Sequence, residues 1–153
     1  MSKTAEQKDI APLLMLLILI YLKKVQNNNQ KGWTTMRKIA QDRGIRLTNR
    51  IVKLHKYLRD EAQEDYLAEQ IMKYGSAIGA DLIRLQLSDG SMEYIDHLHK
   101  AMVNVVKTMR WLNIINDRGY IEYRTYISMR RECSDLIDIL MRKTSALVDE
   151  IAI

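Results

Sequence analysis

The spacing of apolar residues divides most of the chain into helices. Leu47, Ile51, Leu54 and Leu58 recur at steps of four, three and four, which puts them on one stripe of an amphipathic helix. Leu67, Ile71, Tyr74, Ile78 and Leu85 line a second helix, which Ser88, Asp89, Gly90 and Ser91 break. From Met92 to Asn116 the pattern is most regular. Ile95, Leu98, Met102, Val105, Met109 and Leu112 alternate three- and four-residue steps, the seam of helices that cross at shallow angles. Asn116, Asp117, Arg118 and Gly119 end it, and a last helix from about Tyr123 to Glu150 presents Cys133, Ile137, Leu140, Thr144, Leu147 and Ile151. Short connections make successive helices antiparallel, so the pattern predicts an all-α, up-down four-helix bundle over residues 45–153.

The front of the chain reads differently. Ala11 to Leu22 is apolar on every side, with Pro12 suited to a first helical turn. Twelve helical residues rise only about 18 Å against a hydrocarbon core of roughly 30 Å, so the segment is expected to be buried in the core or at a subunit interface. Glu6 and Asp9, and the lack of a small-residue cleavage site near Tyr21 to Lys24, argue against a signal peptide. The polar run Gln26 to Gly32 reads as a loop. Trp33 to Gln41 reads as a short helix opened by Thr34 or Thr35, with Gly44 as its stop. Residues 1–44 are therefore expected to form a hydrophobic helix and a basic linker packed on the bundle.

Composition narrows the class. With 153 residues, six glycines, one proline and no phenylalanine, the chain suits one helical domain rather than a multi-stranded sheet. Cys133 is the single cysteine, so no internal disulfide forms, and a reducing cytoplasm is the expected compartment. Charge is uneven. Residues 1–58 carry 12 Lys or Arg against 3 Asp or Glu, and residues 59–153 carry 12 against 16, so the front is +9 and the remainder −4. Clustered cations of this kind point to an anionic partner, nucleic acid first. Arg43, Arg46, Arg50 and Lys53 form a stripe turned away from the apolar one.

The run Arg50 to Leu58, then Gln70, Gly75 to Leu82, Ser91 to Ile95 and Leu98 resembles the bacterial four-helix-bundle proteins first noted in intervening sequences of 23S ribosomal RNA genes. Trp111 and Leu112, Gly119 to Ile121, and Glu132 to Leu140 continue the likeness, which covers about Ile45 to Ala146, roughly two thirds of the chain. Asp81 and Tyr94 stand where that family usually shows Asn and Phe. The resemblance implies the bundle fold. Relatives include the accessory protein of diversity-generating retroelements, a basic pentamer that works with a reverse transcriptase and nucleic acid. By that likeness, the chain is expected to form a homo-oligomer, a pentamer, and to partner nucleic acid, with a reverse transcriptase or another protein as a further partner.

Chemistry beyond binding finds little support. The small residues Gly75, Ser76, Ala77, Gly79 and Ala80 follow no strand and lack the Lys-Ser or Lys-Thr ending of a phosphate loop, so they read as a place where helices approach closely. Ser76 has no base at a recognisable spacing. His97 and His99 point to nearly opposite helix faces, and His55 is remote, which disfavours zinc. Glu132, Asp135 and Asp138 share a face that is solvated or answers the Arg43 to Lys53 stripe across a subunit boundary. Trp33 reads as packing on the bundle, with base stacking as its alternative, and Trp111 as packing near a helix end. The expectation is a non-enzymatic, self-assembling bundle that needs no cofactor, metal or small-molecule substrate. It contacts phosphates through Arg37, Lys38, Arg43, Arg46, Arg50, Lys53 and Lys56. The alternatives are a protein-interaction scaffold, or a peripheral membrane protein anchored by Ala11 to Leu22.

Overall fold

The computed structural model describes residues 16, 17, 20, 30–87 and 91–151, with side chains at 16, 17, 20, 38–87 and 93–143. It contains α1 (Gln30–Asp60), α2 (Asp65–Leu87), α3 (Ser91–Asp117) and α4 (Tyr123–Ile151). Among the described residues there is no strand. Each helix packs on the next, and α4 closes back on α1, giving an antiparallel up-down four-helix bundle.

α1 is longer than the sequence pattern predicts. Gln30, Lys31 and Gly32 are helical rather than loop, and Gly44 lies inside the helix instead of stopping it. Tertiary packing is the reason: a Cβ on Gly44 would collide with the buried side chain of Leu82 in α2. Gly75 and Gly79 play the reciprocal part on α2. A Cβ on Gly75 would stand 2.5 Å from Ile51 Cδ1, and one on Gly79 2.9 Å from Thr48 Oγ1. The helices come close enough for the Thr48 hydroxyl to donate to the Gly75 carbonyl at 3.1 Å. Those two glycines are thus a packing device, as expected, while Ala77 and Ala80 are only half-buried beside them.

The core holds Leu47, Ile51, Leu54 and Leu58 from α1 and Leu67, Ile71, Ile78, Leu82 and Leu85 from α2. α3 and α4 add Leu98, Val105, Leu112, Met129, Cys133, Leu136 and Leu140. Tyr74, Ile95, Met102, Met109 and Ile137, expected on the seams, are half-buried. The Tyr74 ring instead receives the Lys73 and Lys107 ammonium groups at 5.3 and 5.0 Å from its centroid.

Two loops lie together at one end of the bundle. After α1, Gln63 adopts φ 54°, and the Glu64 amide donates to the Leu58 carbonyl at 2.8 Å. After α3, Gly119 adopts φ 78°, its amide donates to Asn116 and the Tyr120 amide to Ile115, the paired bonds of a Schellman cap. The Tyr120 hydroxyl donates to the Glu64 carboxylate and ties the two loops together.

Leu16, Leu17 and Ile20 are helical, with Leu16 and Ile20 exposed. The rest of the Ala11 to Leu22 segment, Gln26 to Asn29 and Ser88 to Gly90 lie outside the described residues, as do the side chains of Trp33, Arg37, Thr144, Leu147 and Ile151. Among the described residues, no helix is long and apolar enough to cross a membrane.

Candidate nucleic-acid interface

At about 100° per residue, Lys38, Arg46, Lys53 and Lys56 fall in one sector about 80° wide, opposite the buried face of α1. All four are exposed. None lies within ion-pair distance of a described carboxylate. From Lys38 to Lys56 the row runs about 27 Å along the helix axis. Exposed Asp42 interrupts it, and exposed Asn49 sits near its middle.

Arg43 and Arg50 belong to a different face. Both turn toward α4, where Arg43 meets Asp135 at 3.4 Å and Arg50 meets Glu132 at 2.9 Å. Arg50 also donates to Ser128 Oγ at 2.9 Å. The acidic face of α4 therefore answers these two arginines within one chain, where the sequence reading allowed for a contact across a subunit boundary. Asp138 remains exposed. Of the seven cations expected to meet phosphate, the fold presents four as an open row and fastens two to α4, and the Arg37 side chain lies outside the described residues.

A cleft of about 440 Å³ opens between α1 and α4 beside this row. Arg50, Lys53, Leu54 and Tyr57 of α1 form one wall; Tyr120, Ile121, Glu122, Thr125 and Met129 form the other. Lys53 thus belongs to both the row and the cleft. The sequence reading missed Tyr57 and Tyr120, which lie far apart along the chain and meet only because the α3–α4 loop returns beside the end of α1. The hydrogen bond from its hydroxyl to Glu64 holds the Tyr120 ring at the cleft and raises its pKa above the usual tyrosine value.

Other groups with chemical potential are structural. Asp81 is buried between α2 and α3, where it accepts from Asn104 Nδ2 at 3.0 Å and faces Arg84 at 3.6 Å and His97 Nδ1 at 3.8 Å. The Asn104 bond to Asp81 fastens α2 to α3, while the Thr108 hydroxyl donates within α3 to the Asn104 backbone carbonyl at 2.7 Å. His99 is exposed, on the other side of α3 from His97. His55 donates from Nδ1 to the Ala68 carbonyl at 2.9 Å. Among the described residues, no group of three or more His, Cys, Asp or Glu is placed to hold a metal ion. Burial pushes the Cys133 thiol up to about 12, which leaves it protonated and unreactive at neutral pH. Trp111 is half-buried near the end of α3 and meets Tyr66 edge-on at 5.8 Å.

These features define a four-helix bundle that carries an open cationic row on α1. No family model matches the chain, and no curated protein matches it. Among solved structures it is similar to a protein of unknown function of the S23 ribosomal protein family from Bacteroides thetaiotaomicron. The two are 24% identical with a TM-score of 0.67, and the match covers 70% of this chain and 96% of the other. That likeness shows a shared helical-bundle fold.

Proposed function

We propose that the protein binds nucleic acid through the outward face of α1, as a non-enzymatic and self-assembling bundle. The observation that carries this reading is the row Lys38, Arg46, Lys53 and Lys56, exposed along about 27 Å of helix with no described carboxylate within ion-pair distance and with Asp42 as its interruption. Cations aligned on one helix face outside any ion pair suit a polyanion, because each phosphate neutralised releases condensed counterions to solvent. Side chains of this kind contact the backbone and position it without reading bases. The sequence resemblance to proteins of 23S ribosomal RNA intervening sequences supports RNA as the polymer, and so does the ribosomal family name of the structural neighbour.

The test is reversal of the row. Lys38, Arg46, Lys53 and Lys56 are replaced together by Glu, and binding of mixed-sequence RNA and DNA is followed by gel shift at low salt. All four side chains are exposed, so the fold should persist, and circular dichroism checks that it does. Loss of binding with helicity intact is the expected result. Unchanged tight binding would refute the assignment of the row.

A further inference from the structure

The cleft between α1 and α4 has a composition that the phosphate row does not account for. Its walls combine two tyrosine rings, apolar Leu54, Ile121 and Met129, cationic Arg50 and Lys53, and the acceptor Glu122. At about 440 Å³ it falls within the roughly 300–1,000 Å³ of small-molecule sites. Rings, an apolar floor, two cations and one carboxylate match the parts of a nucleotide, which has an apolar flat base, an anionic phosphate and ring or exocyclic N–H donors.

We infer that this cleft receives an unpaired base from a single strand whose phosphates lie along the α1 row, so that the protein selects single-stranded over duplex nucleic acid. The inference rests on the proposed function, since Lys53 links the two sites. A base inside a duplex is stacked and paired and reaches such a cleft only at the expense of both interactions, whereas a single strand offers its bases freely. Tyr57 supplies the exposed ring. It is 41% exposed, so it has open area to cover. Tyr120 supplies the fixed ring, held by the Schellman cap and by Glu64. Arg50 is held at the cleft wall by its bonds to Glu132 and Ser128, so Lys53 is the cleft cation that meets the phosphate. Lys53 and Lys56, within a turn of one another, carry the strand from the cleft onto the row.

The experiment compares a fluorescein-labelled 12-nucleotide single strand with a duplex of the same length by anisotropy at low salt, for the wild-type full chain, Tyr57→Ala and Tyr57→Phe. Stacking on an aromatic side chain predicts that Tyr57→Ala weakens single-strand binding by about 5- to 160-fold and leaves duplex binding unchanged. Tyr57→Phe, which keeps the ring, should bind as wild type does. In parallel, a strand carrying 5-iodouracil is irradiated with the wild-type protein and the adducts are mapped by mass spectrometry. Adducts at Tyr57 or Tyr120 are expected. Equal binding of both polymers by wild type and Tyr57→Ala, with adducts elsewhere, overturns the cleft assignment while the row stands. Failure of the wild type to bind either polymer overturns the proposed function and the cleft with it.

Discussion

Replacing Gly75 by alanine places a methyl group where α2 meets α1. The new carbon would stand 2.5 Å from Cδ1, 2.6 Å from Cγ2 and 3.1 Å from Cβ of Ile51. Ile51 is fully buried and β-branched, so no single rotation clears both of its branches. Helix propensity alone favours alanine by about 1 kcal/mol. Overpacking a filled core opposes it by about 1–3 kcal/mol, and contacts this short put Gly75→Ala at or beyond the upper end. The expected net loss is about 2 kcal/mol, read as a lower midpoint in urea unfolding followed by circular dichroism. Ile51→Ala alone opens a cavity and loses about 2–5 kcal/mol, but it removes the two atoms that clash. In that background Gly75→Ala should be neutral or stabilising, a coupling that a double-mutant cycle measures. If Gly75→Ala proves as stable as the wild type, or costs the same in both backgrounds, the close α1–α2 packing described here is wrong.

Gly119→Ala should lose about 1–2 kcal/mol for a different reason. Nothing lies within 4 Å of the added Cβ, so the loss comes from the left-handed φ of 78° alone, and Gly119→Asn should lose less. Cys133 should resist iodoacetamide in the native protein and react on unfolding. Its folded pKa of about 12 lies above the ordinary thiol value of 9.0, so the unfolded chain ionises first. Its contribution to stability is complete below pH 9 and falls by about 1.4 kcal/mol per unit as pH rises toward 12, a dependence that Cys133→Ala removes in urea titrations across that range.

The bundle was legible in the sequence because most of its core residues are large and aliphatic at helical spacing. Leu47, Ile51, Leu54 and Leu58 declare the buried face of α1, and Gly119 declares the end of α3. The first half of α1 was hidden by composition. Gly44 reads as a stop, and the polar run before it as a loop, yet Ala40 and Gly44 continue the stripe backward from Leu47 at steps of four and three. Gly44 buries there because Leu82 needs the room, and that information belongs to another helix. The interface was half legible. Periodicity finds the cations, but at 100° per residue Arg46 stands only about 40° from Arg50, so it is the ion pairs with Asp135 and Glu132, not spacing, that set Arg43 and Arg50 apart. No spacing announces that Tyr57 and Tyr120 share a cleft, or that buried Asp81 meets Asn104, because only the packing of α1 against the α3–α4 loop and of α2 against α3 brings them together.

The salt dependence of single-strand binding by the wild-type protein tests the central claim most directly. Four phosphate contacts on a single strand predict a slope of log Kobs against log [salt] of about −3, steepening to about −4 if Arg43 and Arg50 leave Asp135 and Glu132 for the strand. A slope in that range, flattened when Lys38, Arg46, Lys53 and Lys56 are neutralised to Gln, is the result the account predicts. A slope near zero, or no binding at the lowest salt, would contradict it.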